Sequence, residues 1–306
     1  MQKRAYAILY LMKNMENKTG QITFLGTGTS QGVPMIGCSC HVCRSEDPKD
    51  NRLRTSALIE YDGFKILIDC GPDFRQQMLR EKITELDAIL LTHQHKDHTG
   101  GLDDIRAFNY FRQKRVEEVA FPIYAETRVQ EGLKKEFYYA FEEFKYPGVP
   151  DYKLITIDEK PFEIIRKTVG SANGIRQGQG EIQKLEVTPI RVMHYKLPIL
   201  GFRIGNLAYI TDGSSIPESE FEKLKGVEVF VINTVRHEKH ISHFSLPEAL
   251  DIVKRVGAPH NYLTHLSHQI GSHAQLTEIL EKFSKSQPEN NRQEIFAAYD
   301  GLKVRF

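Results

Sequence analysis

The sequence predicts an α/β fold: one domain in which two β-sheets are sandwiched between helices. Three observations lead there. The run Ala88-Ile89-Leu90-Leu91-Thr92 is short and almost wholly apolar, the pattern of a strand buried on both faces of a helix-covered sheet. Strands and helical stretches succeed one another with the same rhythm in both halves, without a fixed repeat. At 306 residues, with 40% hydrophobic and 26% charged side chains, the chain has the composition of a globular protein and can bury a large core.

The elements follow in chain order. Met1–Leu11 carries two basic residues and then Ala5-Tyr6-Ala7-Ile8-Leu9-Tyr10-Leu11, and Met1–Gly20 is taken together. No small-residue cleavage site follows, so this reads as a poorly ordered extension, with Met15 as an alternative start, rather than a signal peptide. The domain is expected over 21–306. Gln21–Leu25 alternates as a strand and ends in the turn Gly26-Thr27-Gly28-Thr29-Ser30. Ser56–Tyr61, Asp62-Gly63 and Phe64–Asp69 read as a hairpin with a two-residue turn. Helical spacing covers Phe74–Glu81, Asp103–Arg115 and Glu126–Phe144, the last with aromatics crowding its end. Core packing is the expected role of most of those aromatics, a substrate-facing wall the alternative. Between Thr168 and Ile182 lie four glycines without periodicity, which predicts a mobile loop joining two strands. Strands then follow at Leu185–Val192, Leu200–Ile204, Leu207–Ile210, Val227–Ile232 and Asn261–Thr264, with helices at Leu246–Val256 and Gln275–Lys285.

Charge and composition narrow the function classes. Forty-one basic and forty acidic residues leave a net charge of +1, so no global field draws the chain to nucleic acid. No apolar run reaches the ~18 residues that suggest a membrane span, and a cytoplasmic location is expected. Three of the four cysteines, Cys38, Cys40 and Cys43, lie within six residues. Disulfide frameworks are not distributed this way, and the cluster points to a metal.

The decisive segment is Thr92-His93-Gln94-His95-Lys96-Asp97-His98. Three histidines and an aspartate directly after a buried strand cannot face one way along a regular element. A loop leaving the strand can curl them around two metal ions. Imidazole nitrogens and carboxylate oxygens suit zinc, manganese and iron alike. Asp69 ends the strand Ile66-Leu67-Ile68, placed either to accept the second N–H of a metal-bound imidazole or to cap a turn. The three clustered thiolates need a fourth ligand to close a zinc site. His41 lies between them, and His268 is the alternative. Cys70 has no partner and reads as a small buried residue.

His-Xaa-His-Xaa-Asp-His after an apolar strand resembles the signature of the metallo-β-lactamase superfamily. That resemblance implies a four-layered αβ/βα sandwich with metals at the sheet edges. It implies a first metal held by His93, His95 and His194, a second by Asp97, His98 and His265, and Asp212 bridging them. His95 stands where the diiron flavoprotein branch has Glu, which argues against redox chemistry. Gly37-Cys38-Ser39-Cys40-His41-Val42-Cys43 paired with Thr264-His265-Leu266-Ser267-His268 is similar to the branch holding phosphoribosyl cyclic phosphate phosphodiesterases (PhnP-like). Phe24-Leu25-Gly26-Thr27-Gly28 followed by Gln31-Gly32-Val33-Pro34 is shared with it too. By this resemblance Cys38, Cys40, Cys43 and His268 form a structural zinc site. His243 faces the scissile phosphate as a non-ligand catalytic residue, with His237 and His240 as rivals, and Asp97 counts as catalytic beside its ligand role. The resemblance covers most of Gln21–Phe306 and is weakest between Asp104 and Leu185.

The expected activity is hydrolysis of a small phosphodiester, a cyclic one on a ribose among the candidates. Two divalent ions, zinc or manganese, would share a hydroxide of lowered pKa, and His243 would protonate the leaving oxygen. The rivals are an RNA-processing nuclease, which would want a basic arm, a thioesterase, which would lack the thiolate cluster, and a non-catalytic carrier resembling the pyrroloquinoline quinone factor. The expected partner is a small-molecule phosphodiester, with neither membrane nor nucleic acid. A homodimer, common in the superfamily, is an expectation of the same kind.

Overall fold

Period-two burial builds two seven-stranded sheets that face each other. In a computed structural model, residues 19–112, 116, 118–172, 175–289 and 292–306 are described; positions 1–18 of the expected extension lie outside them. Gly20 belongs to the domain, since its N–H donates to Phe306 O (2.7 Å) and its carbonyl accepts from Phe306 N (3.0 Å).

The first sheet contains β1 (Gln21–Gly26), β2 (Ser56–Tyr61), β3 (Phe64–Ile68), β4 (Ala88–Leu90), β5 (Phe121–Ala125), β6 (Tyr152–Thr156) and, beside β1, β14 (Lys303–Arg305). The second contains β7 (Phe162–Ala172), β8 (Ile175–His194), β9 (Leu197–Ile204), β10 (Leu207–Tyr209), β11 (Val229–Asn233), β12 (His260–Thr264) and β13 (Glu294–Ala297), in that spatial order. Each sheet begins with antiparallel pairs and ends with parallel ones, from β3 to β6 and from β10 to β13.

Alternate side chains of each strand enter different cores. Phe64, Ile66 and Ile68 of β3 join Val229 and Val231 of β11 between the sheets. The intervening Leu67 and Ile89 pack outward under α1 (Phe74–Arg80) and α4 (Thr127–Glu136), through Phe74, Met78, Val129 and Leu133. Phe230 and Ile232 pack outward under α5 (Leu246–Val256) and α6 (His273–Ser286). Three apolar layers therefore separate four layers of structure, the predicted αβ/βα sandwich. Two shorter helices, α2 (Lys96–Thr99) and α3 (Arg106–Arg112), lie between β4 and β5 in the chain. Among the described residues no helix is long and apolar enough to cross a membrane.

Two expectations are corrected. The stretch from Thr168 to Ile182 is not a loop: β7 and β8 pair through it, with Lys167 opposite Ile182 and Val169 opposite Gln179. Where this hairpin leaves the core, Ile165 and Ile182 are exposed, so no buried face imposes an alternation on the sequence. The helix expected over Glu126–Phe144 stops at Glu136. Phe137 leaves helical dihedrals (φ −107°, ψ 38°) and a single 3-10 turn, Tyr138–Ala140, follows.

Candidate metal centre

Parallel strands deliver side chains to one end of a sheet, and this site is built from the loops that leave those ends. Asp69 follows β3, the His93–His98 segment follows β4, Asp212 follows β10, and His265 follows β12. His194 is the last residue of β8. The loops are held at unusual dihedrals. Of the six non-glycine residues with positive φ among the described residues, four are here: Asp69 (60°), Tyr195 (56°), Asp212 (56°) and His265 (56°). Such conformations persist where surrounding structure over-determines them, often at functional sites.

Close approach of backbones also shapes the cradle. A Cβ on Gly71 would lie 2.1 Å from Asp97 O, and one on Gly101 would lie 2.1 Å from Gly71 O. Cys70 N donates to His98 O (2.7 Å) and Gly101 N to Cys70 O (2.9 Å), which clamps the turn after β3 against the histidine loop. Asn233 clamps the Asp212 turn from the neighbouring strand β11, accepting from Gly213 N (2.7 Å) and donating to Gly213 O (3.0 Å).

Asp212 is the hub. Ligand atoms of His93 and His98, of His194 and His243, and of Asp97 and His265 each group with a carboxylate oxygen of Asp212 within 4.8 Å. His98 Nε2 lies 3.1 Å from Asp212 Oδ2 and 3.2 Å from Asp97 Oδ2. His265 Nε2 and His243 Nε2 lie 3.2 Å and 3.1 Å from Asp212 Oδ1. The ring of His95 stands 4.5 Å from that of His93 and 5.2 Å from that of His194. Five of the expected ligands thus group around Asp212, and His95 stands beside two of them.

The other ring nitrogens show which way the imidazoles are wired. His194 Nδ1 donates to the carbonyls of Asp212 and Ser242, both at 2.8 Å, so its proton sits on Nδ1. His98 Nδ1 donates to Asp69 Oδ2 at 2.6 Å. Thr92 donates its hydroxyl proton to Asp69 (2.9 Å) and accepts from His93 Nδ1 (2.9 Å). His265 Nδ1 faces the hydroxyls of Thr55 (3.3 Å) and Thr211 (3.5 Å), whose protons go to Gly28 O and Asp212 Oδ2. Four imidazoles therefore hold Nδ1 outward and turn Nε2 inward. His93 Nε2 is buried there without a hydrogen-bond partner, while His98 Nε2 faces the carboxylates of Asp97 and Asp212. Imidazole nitrogens turned onto shared carboxylates are the donor set of a divalent metal, and outward Nδ1 contacts are its supporting shell.

Electrostatics of the protein groups agree. Burial, and then the neighbouring His98, keeps His93 well below its ordinary pKa, and burial pulls His265 down to about 4. Both are neutral, as ligands must be. For Asp212, burial alone would raise the pKa, but His265 and His98 outweigh it and hold the carboxyl well below its usual range. For His98, burial is outweighed by Asp212, Asp69 and Asp97, which together raise its pKa well above the usual value. That balance of charge is the one a cation would take over.

His243 stands at the edge, its side chain 16% exposed. Its Nδ1 lies 3.0 Å from Ser242 Oγ and 3.2 Å from His240 Nδ1. Of its rivals, His240 is behind it and His237 is turned away toward Ile270 O (3.1 Å). The loop is anchored by Phe244 N donating to Gly213 O (2.7 Å). Glu248 accepts from Ser245 N (2.9 Å) and Ser245 Oγ (2.7 Å) at the start of α5, a cap worth about 1 kcal/mol.

The thiolate cluster is also assembled. Cys38 Sγ and Cys40 Sγ lie 3.3 Å and 3.4 Å from His268 Nδ1, and Cys43 completes the group. His41 points elsewhere, to Gln275 Oε1 (3.2 Å), which decides between the two candidates for fourth ligand in favour of His268. The Cys43 N–H and His268 lower the Cys40 thiol to about 6, while burial raises Cys43 to about 11. All four cysteines are free, and Cys70 is buried as expected. His265 and His268 leave one short turn after β12, so the two clusters share a wall.

Thr92 and Ser242, which hydrogen-bond the clustered imidazoles, were not singled out from the sequence. The signal for Thr92 was its place directly before His93; Ser242 had none.

The described geometry has counterparts in known proteins. Residues 65–266 match the family model of the β-lactamase superfamily domain. A solved diphosphatase of the PhnP family superposes with a TM-score of 0.76 at 35% identity, covering 94% of this chain and 97% of that one. Zinc-bound PqqB from Methylobacterium extorquens superposes with a TM-score of 0.67 at 17% identity, over 93% and 99% of the two chains, a likeness of fold. An octanoyltransferase of Porphyromonas gingivalis is 41% identical over 283 residues, 92% of this chain. The chain spans about half the length of that relative (50%).

Proposed function

This chain belongs to the metallo-β-lactamase superfamily and is PhnP-like, and from that premise we propose that it is a phosphodiesterase acting on a small phosphodiester. One observation carries the reading: His243, an imidazole outside the ligand set the resemblance implies, stands 3.1 Å from the shared carboxylate of Asp212 at the exposed edge of the cluster. His93, His95 and His194 would hold one divalent ion, Asp97, His98 and His265 a second, and Asp212 both. Bound there, the ions supply Lewis acidity and an activated water.

The chain's own residues do the rest. Asp69 and the carbonyls of Asp212 and Ser242 keep the Nδ1 protons of His98 and His194 outward. Ser242 Oγ and His240 hold His243 from the Nδ1 side, leaving Nε2 to give its proton to the departing oxygen, a contribution of ~10²–10⁴-fold. Cys38, Cys40, Cys43 and His268 would hold a structural zinc that fixes the wall beside His265.

The 41% identity to half of an octanoyltransferase supports a second reading, hydrolysis of an acyl thioester at the same site. The deciding experiment measures hydrolysis of bis(p-nitrophenyl) phosphate and of an octanoyl thioester, with metal content read on each sample. The phosphodiesterase reading expects turnover of the first. His243→Ala should lose ~10²–10⁴-fold with its metals retained, and Asp212→Ala should lose metal and turnover together. A fully metallated wild type that cleaves only the thioester overturns it, as does His243→Ala at wild-type rate.

A further inference from the structure

The segment between the cysteine loop and β2, Asp50 to Thr55, ties together parts of the molecule that are far apart in sequence. Asp50 is buried and accepts from His273 N at the start of α6 (2.6 Å). Arg52 pairs with Val33 through two backbone bonds, donating to Val33 O (2.7 Å) and accepting from Val33 N (2.9 Å). Leu53 N donates to Asp300 Oδ2 (2.9 Å). Thr55 N and Thr55 Oγ1 both donate to Gly28 O (3.1 and 3.0 Å). Gly28 bridges Leu266 in turn, and Leu266 N donates to Thr27 O (2.7 Å). Thr55 Oγ1 is thereby held 3.3 Å from Nδ1 of the ligand His265.

One side chain of this segment is not explained by stability. The Arg52 side chain is 0% exposed. Its Nη1 donates to Ala298 O (2.9 Å), and its Nη2 lies 3.8 Å from Asp50 Oδ1. Among the described residues, Nε and Nη2 have no hydrogen-bond partner. Burying a charge so incompletely paired is costly, and well-packed apolar side chains often fill such a place at no loss of stability. What a guanidinium adds is direction, because its donors fix where the acceptor must stand. Ala298 N donates to Leu263 O (2.9 Å), and Leu263 belongs to β12, the strand that His265 follows. Through Ala298, Arg52 therefore ties the segment bearing Thr55 to the strand that delivers His265.

We infer that Arg52 is a positioning residue of the metal centre, which keeps Thr55 Oγ1 against His265 Nδ1 and so keeps His265 Nε2 aimed at Asp212, 3.2 Å away. It touches no ligand and acts through Ala298 and Thr55. The inference needs the metal centre and is independent of the substrate, so it goes beyond the phosphodiesterase reading. It concerns how firmly the ion that His265 would hold is retained.

The test is a double-mutant cycle on metal affinity. Cobalt is titrated against a competing chelator into wild type, Arg52→Met, Thr55→Val and the double variant. Thiolate charge-transfer absorption reads the cysteine cluster, and d–d absorption reads the imidazole and carboxylate positions. Arg52→Met should weaken one of the two ions at those positions about 10- to 100-fold, with the other and the thiolate-bound ion unchanged. Thr55→Val should weaken the same ion, and the double variant should lose no more than the worse single one. Wild-type affinities in Arg52→Met, equal weakening of all three ions, or losses that multiply in the double variant overturn the assignment. Should Arg52→Met fail to fold, Arg52→Lys, which keeps a charge and a donor without the planar fork, takes its place in the cycle. Turnover of bis(p-nitrophenyl) phosphate by the same wild-type samples separates the two readings. Metal-loaded protein without turnover removes the phosphodiesterase and leaves Arg52 to be decided by the cycle.

Discussion

Replacing Asp69 by Asn tests whether one buried carboxylate organises both metal positions. The perturbation is clean. Asn matches Asp in volume and is enriched, like Asp, at the positive φ (60°) that residue 69 adopts. The carboxylate is fully buried and accepts four bonds: from Thr92 N (2.9 Å), twice from Thr92 Oγ1 (3.1 and 2.9 Å), and from His98 Nδ1 (2.6 Å). An amide cannot reproduce them. With its oxygen toward Thr92, its NH₂ meets His98 Nδ1, which must then release its proton to Nε2 and present N–H to the metal. With the amide flipped, NH₂ faces the Thr92 N–H, leaving a buried donor unsatisfied at a cost of about 1–3 kcal/mol. Either arrangement falls in the range in which loss of a supporting partner weakens a metal site ~10–100-fold. Because Asp69 touches His98 directly and His93 through Thr92, both metals should weaken together. The assay is metal content after dialysis against buffers of stepped free zinc, and the expected result is a joint shift of both occupancies toward higher zinc. If Asp69→Asn fills both positions at wild-type zinc concentrations, the wiring argument is wrong.

Two further outcomes are expected. Cys40→Ser should lower zinc content by about one ion per chain and reduce Tm, with the turn bearing His265 and His268 loosened; unchanged zinc by mass spectrometry would dissolve the structural site. Gly71→Ala should force apart the turn after β3 and the histidine loop, since the added Cβ would sit 2.1 Å from the backbone oxygen of Asp97. Backbone cannot yield as a flexible side chain does, so a loss of about 1–3 kcal/mol and of metal is expected. Normal Tm with full metal content would refute that reading.

Much of the fold was legible because both faces of its central strands are buried. Ala88-Ile89-Leu90-Leu91 could be nothing but a covered strand, and the Asp62-Gly63 turn fixed the hairpin before it, with φ of 50° and 75° as such a turn requires. The strands that escaped notice lack those signals. Pro122 interrupts β5, while β14 is three residues long and not buried. The β7–β8 pairing rests on backbone bonds, and Ile165 and Ile182 along it are exposed.

The site divides along a similar line. The ligand types and their positions at strand ends are local facts, so the sequence displays them. Whether an imidazole can bind a metal depends on which of its nitrogens keeps the proton, and that is decided from far along the chain. The acceptor for His98 is 29 residues away, one acceptor for His194 is 48 away, and Thr55 meets His265 across 210 residues. The signature therefore announces a metal site without its protonation. Only the folded arrangement turns these imidazoles onto Asp212, and that same closure leaves His243 at the edge, partly exposed. Whatever the site binds meets His243 at that edge, since His93, His98 and His265 behind it are buried.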